Sequence, residues 1–146
     1  MKNKLSNEFR FLMRKHQTIV RNYLGELGLY MGQPRVLFRL DETPGISQKK
    51  LSEMLDISKE ANSVSIRRLE KSGVINREEC VDDRRINLLS LSKKGKEIVL
   101  DLRANFDEIN NYMFIDLNKE DKQELSRLLT IMNNSLEKRL IDEETI

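Results

Sequence analysis

Apolar residues recur with a helical period over most of the chain. Leu5, Phe9, Leu12, His16, Ile19 and Tyr23 follow at steps of four and three, the spacing of one helix face. Gly25 and Gly28 weaken that helix. Pro34 suits the first turn of a second helix, with Val36, Leu37 and Leu40 inside, and Thr43-Pro44-Gly45 ends it. Ser47 fits the N-cap of a third helix containing Leu51, Met54 and Leu55. Ser58 fits the N-cap of a fourth that runs to about Ser72, with Gly73 as its stop. The period then shortens. Val74 and Ile75, then Ile86 and Leu88 flanking Asn87, predict two strands around a charged tip, although Leu89 and Leu91 blur the alternation. Ser92 opens a fifth helix with Ile98, Leu102, Phe106, Ile109 and Met113 on one face. Asn118 and Asp121 have capping-box spacing for a sixth, striped by Leu125, Leu128, Met132, Leu136 and Leu140.

Helix, turn, helix, hairpin over residues 47–95 is the order of a winged helix-turn-helix. The expected class is mainly α with a small β-hairpin wing (α+β), flanked by N- and C-terminal helices. A helix has the width of the DNA major groove, and guanidinium groups at a hairpin tip suit phosphates or a narrow minor groove. The 146 residues contain no repeat, biased tract or long linker, so one domain is expected over 1–146, with 33–95 as its DNA-binding region. The apolar stripes at the two ends exceed what so small a reading module needs. Residues 1–28 and 98–142 are therefore expected to pair two copies, which also sets two recognition helices on successive turns of DNA.

Charge sharpens this picture. The net charge is only +2, but residues 1–96 carry 20 Lys and Arg against 12 Asp and Glu, and residues 97–146 carry 6 against 12. A basic front and an acidic back orient a polyanion toward the winged region. The lone cysteine, Cys80, gives no intramolecular disulfide, and Arg10, Arg14, Lys15 and His16 interrupt the only apolar run near the N-terminus. A cytoplasmic protein without a membrane span is the expectation. One His and one Cys do not make a metal set, and neither a nucleophilic triad nor a phosphate loop is present. No enzyme, cofactor or metal is expected. Cys80, beside the acidic Glu79, reads as a bystander. His16, on an apolar face, reads first as a core or interface residue and second as a ligand contact.

Several stretches together resemble the MarR family of multiple-antibiotic-resistance-type regulators. They are Gln33 to Leu40, Ser47 to Leu55, Leu69-Glu70-Lys71-Ser72-Gly73-Val74-Ile75-Asn76-Arg77, Asp83-Arg84-Arg85, and Leu91-Ser92-Lys93-Lys94-Gly95. The Asp-x-Arg wing tip is the most specific of these. The resemblance implies a homodimeric transcription factor, most often a repressor, joined through its terminal helices. It further implies an inverted-repeat operator and release by a small ligand or an oxidant. A phenolic or aromatic anion among the first, second and fifth helices, with His16 as a polar member, follows from the resemblance alone. A winged helix used for protein contact instead of DNA is the alternative.

Helical spacing separates Asn62, Ser65, Ile66 and Leu69, facing the core, from Glu60, Ser63, Val64, Arg67 and Lys71, facing DNA. Ser63 and Val64 fall early enough in the helix to meet base edges, and Arg67 to reach a guanine or a phosphate. Ser58, Lys59, Arg68, Arg77 and Arg84 join them as expected DNA contacts, Arg68 and Arg77 with salt bridges as the competing role. Asp83 is expected to orient the Arg85 guanidinium. The chain departs from the family pattern at Asn62, where an apolar residue is usual, and at Val64, where Arg or another polar residue is common. Those departures suggest an unusual operator or a weaker base readout.

Overall fold

The computed structural model describes residues 2–144, with side chains for 4–143. In chain order the elements are α1 (Lys2–Glu26), α2 (Gln33–Glu42), β1 (Ile46–Ser47), α3 (Gln48–Leu55), α4 (Lys59–Lys71), β2 (Ile75–Glu79), β3 (Asn87–Leu91), α5 (Lys93–Met113) and α6 (Lys119–Glu144). The chain divides into two compact units, the first ending at Asp107 and the second beginning at Glu108. No helix among the described residues is long and apolar enough to cross a membrane.

In the first unit the caps sit where short polar side chains predicted them. Ser47 Oγ accepts from Lys50 N at 3.2 Å, and Ser58 Oγ accepts from Ala61 N at 3.1 Å. Each bond satisfies an amide that the first turn leaves without a partner. Gly73, at a φ of +75°, turns the chain out of α4 in a conformation that other residues rarely adopt. The sheet has three antiparallel strands in the order β1-β3-β2, so the wing is more than a hairpin. Ile46 pairs with Leu89, and Ile75 with Leu91. Val74 and Ile86, expected within strands, lie just outside them, because Val74 already turns its carbonyl toward Ser92 and Ile86 closes the tip.

The core joins α2, α3, α4, the sheet and the start of α5 through Leu37, Leu40, Leu51, Ile66, Leu69, Leu89 and Leu102, all buried. Each such side chain stabilises the fold by roughly 1.5–3 kcal/mol. The wing is fastened at its base. Ser92 N and Ser92 Oγ both donate to Val74 O at 3.0 Å, Ser92 Oγ lies 2.6 Å from Gly73 O, and Gly95 N donates to Ser92 Oγ at 3.0 Å. These bonds fix β2 against the first turn of α5.

In the second unit Asn118 and Asp121 cap each other's backbone reciprocally, at 3.2 and 2.8 Å, as their spacing predicted. A groove of about 540 Å³ beside this turn is lined by Phe114, Leu125 and Leu129 among polar residues. Most of the apolar stripe of α1, before Tyr23, and of α6 is exposed. Leu5 is 72% exposed and Leu136 64%, with Phe9, Leu12, Ile19, Leu128, Met132 and Leu140 also exposed.

Candidate nucleic-acid interface

Helix α4 presents the two faces its spacing predicted. Asn62, Ile66 and Leu69 are buried, and Glu60, Val64, Arg67 and Lys71 are exposed. Ser63 and Ser65 lie between. Asn62 is fully buried, so the departure at this position is not a matter of the operator. Its Nδ2 donates to Ser52 Oγ at 2.6 Å and to Gln48 O at 3.2 Å, both in α3. Ser52 Oγ in turn donates to Gln48 O at 3.1 Å. A polar pair therefore joins the two helices where apolar packing was the family expectation.

Arg68, Arg77 and Asp83, all expected at the DNA, have partners inside the chain. The Arg68 guanidinium sits 4.6 Å from the centroid of the Tyr30 ring, in the segment between α1 and α2. Arg77 Nε donates to Glu70 Oε2 at 3.1 Å, a half-exposed pair of the kind worth roughly 0–1 kcal/mol. Asp83 does not hold the Arg85 guanidinium. Its Oδ1 accepts from Arg85 N at 2.9 Å, and its carbonyl accepts from Ile86 N at 3.0 Å. The carboxylate shapes the backbone of the tip, because a short acidic side chain reaches the amide two residues on. Arg84 and Arg85 stay exposed and enter no ion pair among the described residues. Val81 beside them is 98% exposed.

A groove of about 480 Å³ runs between the helix pair and the wing. Lys49, Lys59, Arg77 and Arg85 line it with Gln48 and Ser63, and no carboxylate does. Lys49, Lys59 and Arg85 have no carboxylate partner among the described residues, Arg77 alone being paired with Glu70, and together they make a place for a polyanion. Ser58 is exposed at the entrance to α4, while Arg68 and Lys71 flank a separate depression beside Tyr30. Sequence reasoning missed Gln48 and Lys49. Their signal was the position directly after an N-cap serine, where the first turn of the first reading helix begins.

Residues 29–86 match the MarR family model. That stretch, which runs from before α2 to the tip of the wing, is similar to the MarR family. Over 136 residues, covering 93% of this chain and 91% of the relative, it is 27% identical to the HTH-type transcriptional regulator YybA of Bacillus subtilis strain 168. A solved MarR transcriptional regulator from Methanosarcina mazei Go1 superposes with a TM-score of 0.71 at 27% identity, over 92% of this chain and 98% of that one. Streptococcus pneumoniae FabT, solved in complex with DNA, shares the fold with a TM-score of 0.80 at 18% identity, over 94% and 99% of the two chains. The chain shares the winged-helix fold of solved MarR transcriptional regulators, and the relatives it matches are HTH-type transcriptional regulators.

A second polar feature of the chain lies in the first unit. His16 is half-buried on α1. Further along that helix, the Tyr23 hydroxyl is buried, with the Asn105 side chain as a weak hydrogen-bonding neighbour. Burial chiefly, and then the Asp101 carboxylate, hold its pKa above the ordinary phenol value. Tyr23 and Phe38 each meet Phe106 edge to face, at 6.4 and 6.0 Å between centroids. Cys80 is half-buried, with its amide donating to Ile86 O. No group of acidic, His and Cys side chains among the described residues is arranged to hold a metal.

Proposed function

We propose that the chain is a transcriptional repressor that binds an inverted-repeat operator as a homodimer. The observation that carries the DNA reading is the basic groove between α3, α4 and the wing, lined by four cations and no carboxylate. Residues 33–95 are its reading head. Ser58, Lys59, Ser63, Val64, Arg67 and Lys71 approach the major groove and its phosphates, with Arg68 and Arg77 at the margin. Arg84 and Arg85, held out by the Asp83 turn, approach the minor groove or the backbone. The homodimer is supported by exposed apolar side chains within 1–28 and 98–142, a run of surface seldom left to water. Ligand response is supported by the buried Tyr23 hydroxyl among aromatic rings, with His16 on the same helix. A small aromatic molecule bearing a hydrogen-bond acceptor fits that chemistry.

Arg85→Ala tests this reading. The variant is expected to bind the operator roughly 1–3 kcal/mol more weakly, the scale of one good groove contact. The loss should be larger on sites with A·T-rich flanks than on G·C-rich ones, because a narrow groove concentrates negative potential. Fluorescence anisotropy on both duplexes, with circular dichroism to confirm folding, reads the difference. An Arg85→Ala protein that binds every duplex as tightly as the parent removes the wing from the interface. Protein contact then becomes the better account.

A further inference from the structure

We propose that Gln48 reads a base together with Ser63, and that the pair is matched to adenine. The inference rests on the DNA-binding reading and adds a residue from outside the recognition helix. Gln48 opens α3, and it holds two consecutive residues of α4. Its carbonyl oxygen accepts from Asn62 Nδ2 at 3.2 Å, and its side-chain Nε2 donates to Ser63 Oγ at 3.1 Å. Both side chains are half-buried and line the basic groove.

The hydrogen-bond inventory of this pair decides what it can recognise. Ser63 Oγ already accepts from Gln48, so its single proton is left to donate outward. Gln48 Oε1, which no described hydrogen bond engages, is an acceptor beside it. With the second Nε2 proton of Gln48, the pair thus displays one acceptor, Gln48 Oε1, flanked by donors. In the major groove adenine offers the N6 amino donor and the N7 acceptor, the complement of both. Guanine offers two acceptors, and its O6 would face Gln48 Oε1. Thymine offers an acceptor and a methyl group, and cytosine only a donor. Because the side chains brace each other, and the Gln48 backbone is tied to buried Asn62, docking freezes little further freedom.

Selection of duplexes from a random pool by the full-length protein tests this, with the parent, Gln48→Ala, Ser63→Ala and the double variant compared. The parent should favour adenine at one position of each half-site by roughly 5–150-fold, the discrimination of one good bidentate contact. Each single variant should lose that preference at that position and keep the others. The double variant should lose no more than either single one, since the two act as a unit. Should Gln48→Ala fail to fold, Gln48→Glu replaces it. A carboxylate takes the Ser63 proton and leaves only acceptors, so the preference should move to cytosine, and retained adenine would overturn the proposal. A Gln48→Ala protein that keeps the parent's preference, loses for the two variants at different positions, or a parent preference for another base there overturns this inference alone. A parent that selects no sequence overturns the DNA reading and this inference with it.

Discussion

Gly95→Ala is expected to lower the unfolding free energy by roughly 3 kcal/mol, although the substitution favours helices in general. Alanine in a helix is ordinarily better than glycine by about 1 kcal/mol. Here a Cβ would lie 2.1 Å from Val74 O, with Val74 C at 3.2 Å and Leu91 Cδ2 at 3.3 Å. The nearest atom is a backbone carbonyl, and it does not swing aside as a side chain does. That carbonyl also accepts from Ser92 N and Ser92 Oγ, so displacing it breaks the bonds that fasten β2 to α5. The clash outweighs the propensity. For a chain of this length the melting temperature should fall by about 6–12 °C, read by thermal unfolding. A Gly95→Ala protein as stable as the parent would mean that the strand and helix do not approach this closely.

Asn62→Asp is expected to be at least as damaging at neutral pH. The amide is fully buried, and its two donated bonds go to Gln48 O and Ser52 Oγ. A carboxylate donates neither when ionised, and it sets its charge against the Gln48 carbonyl with no cation bonded there. An unpaired buried charge costs roughly 3–5 kcal/mol. The sign with pH follows from burial. The folded-state pKa of the new acid lies above its unfolded value of about 3.9, so the penalty grows as pH rises through that range and shrinks as pH falls toward it. Asn62→Leu is the useful contrast. It removes the two hydrogen bonds but also Asn62 Oδ1, a buried acceptor without a partner, so its loss should be smaller and independent of pH. Urea unfolding of both variants at pH 7 and pH 5 separates these cases. A loss for Asn62→Asp that does not change with pH would mean the side chain turns to water.

Features legible in the sequence were those whose physics is local. Ser47, Ser58 and the Asn118–Asp121 pair cap helices because a short polar side chain reaches an amide three residues away, whatever the rest of the chain does. Two faces of α4 followed from the helical period alone. What escaped depended on partners far along the chain. β1 is two residues long and exists through pairing with β3, more than forty residues later, so no alternation marks it. Asn62 seemed to bear on the operator because its polarity was visible and Ser52, ten residues earlier, was not visible as its partner. Asp83 and Arg85 were paired by charge, whereas the reach of a short carboxylate favoured the backbone amide. The stripe from Leu5 to Tyr23 marked an apolar face correctly, but periodicity does not say what covers that face.

Two copies of this chain are expected to grip one duplex. Analytical ultracentrifugation of the full chain with a fluorescently labelled duplex carrying its selected site tests it most directly. Free protein should sediment at about twice 17.2 kDa, and the complex should contain two chains per duplex. Raising the salt concentration should dissociate the DNA from an intact dimer, because the groove cations release counterions on binding. A monomer of 17.2 kDa that occupies the duplex singly, or a dimer that leaves the duplex free at low salt, would contradict the account.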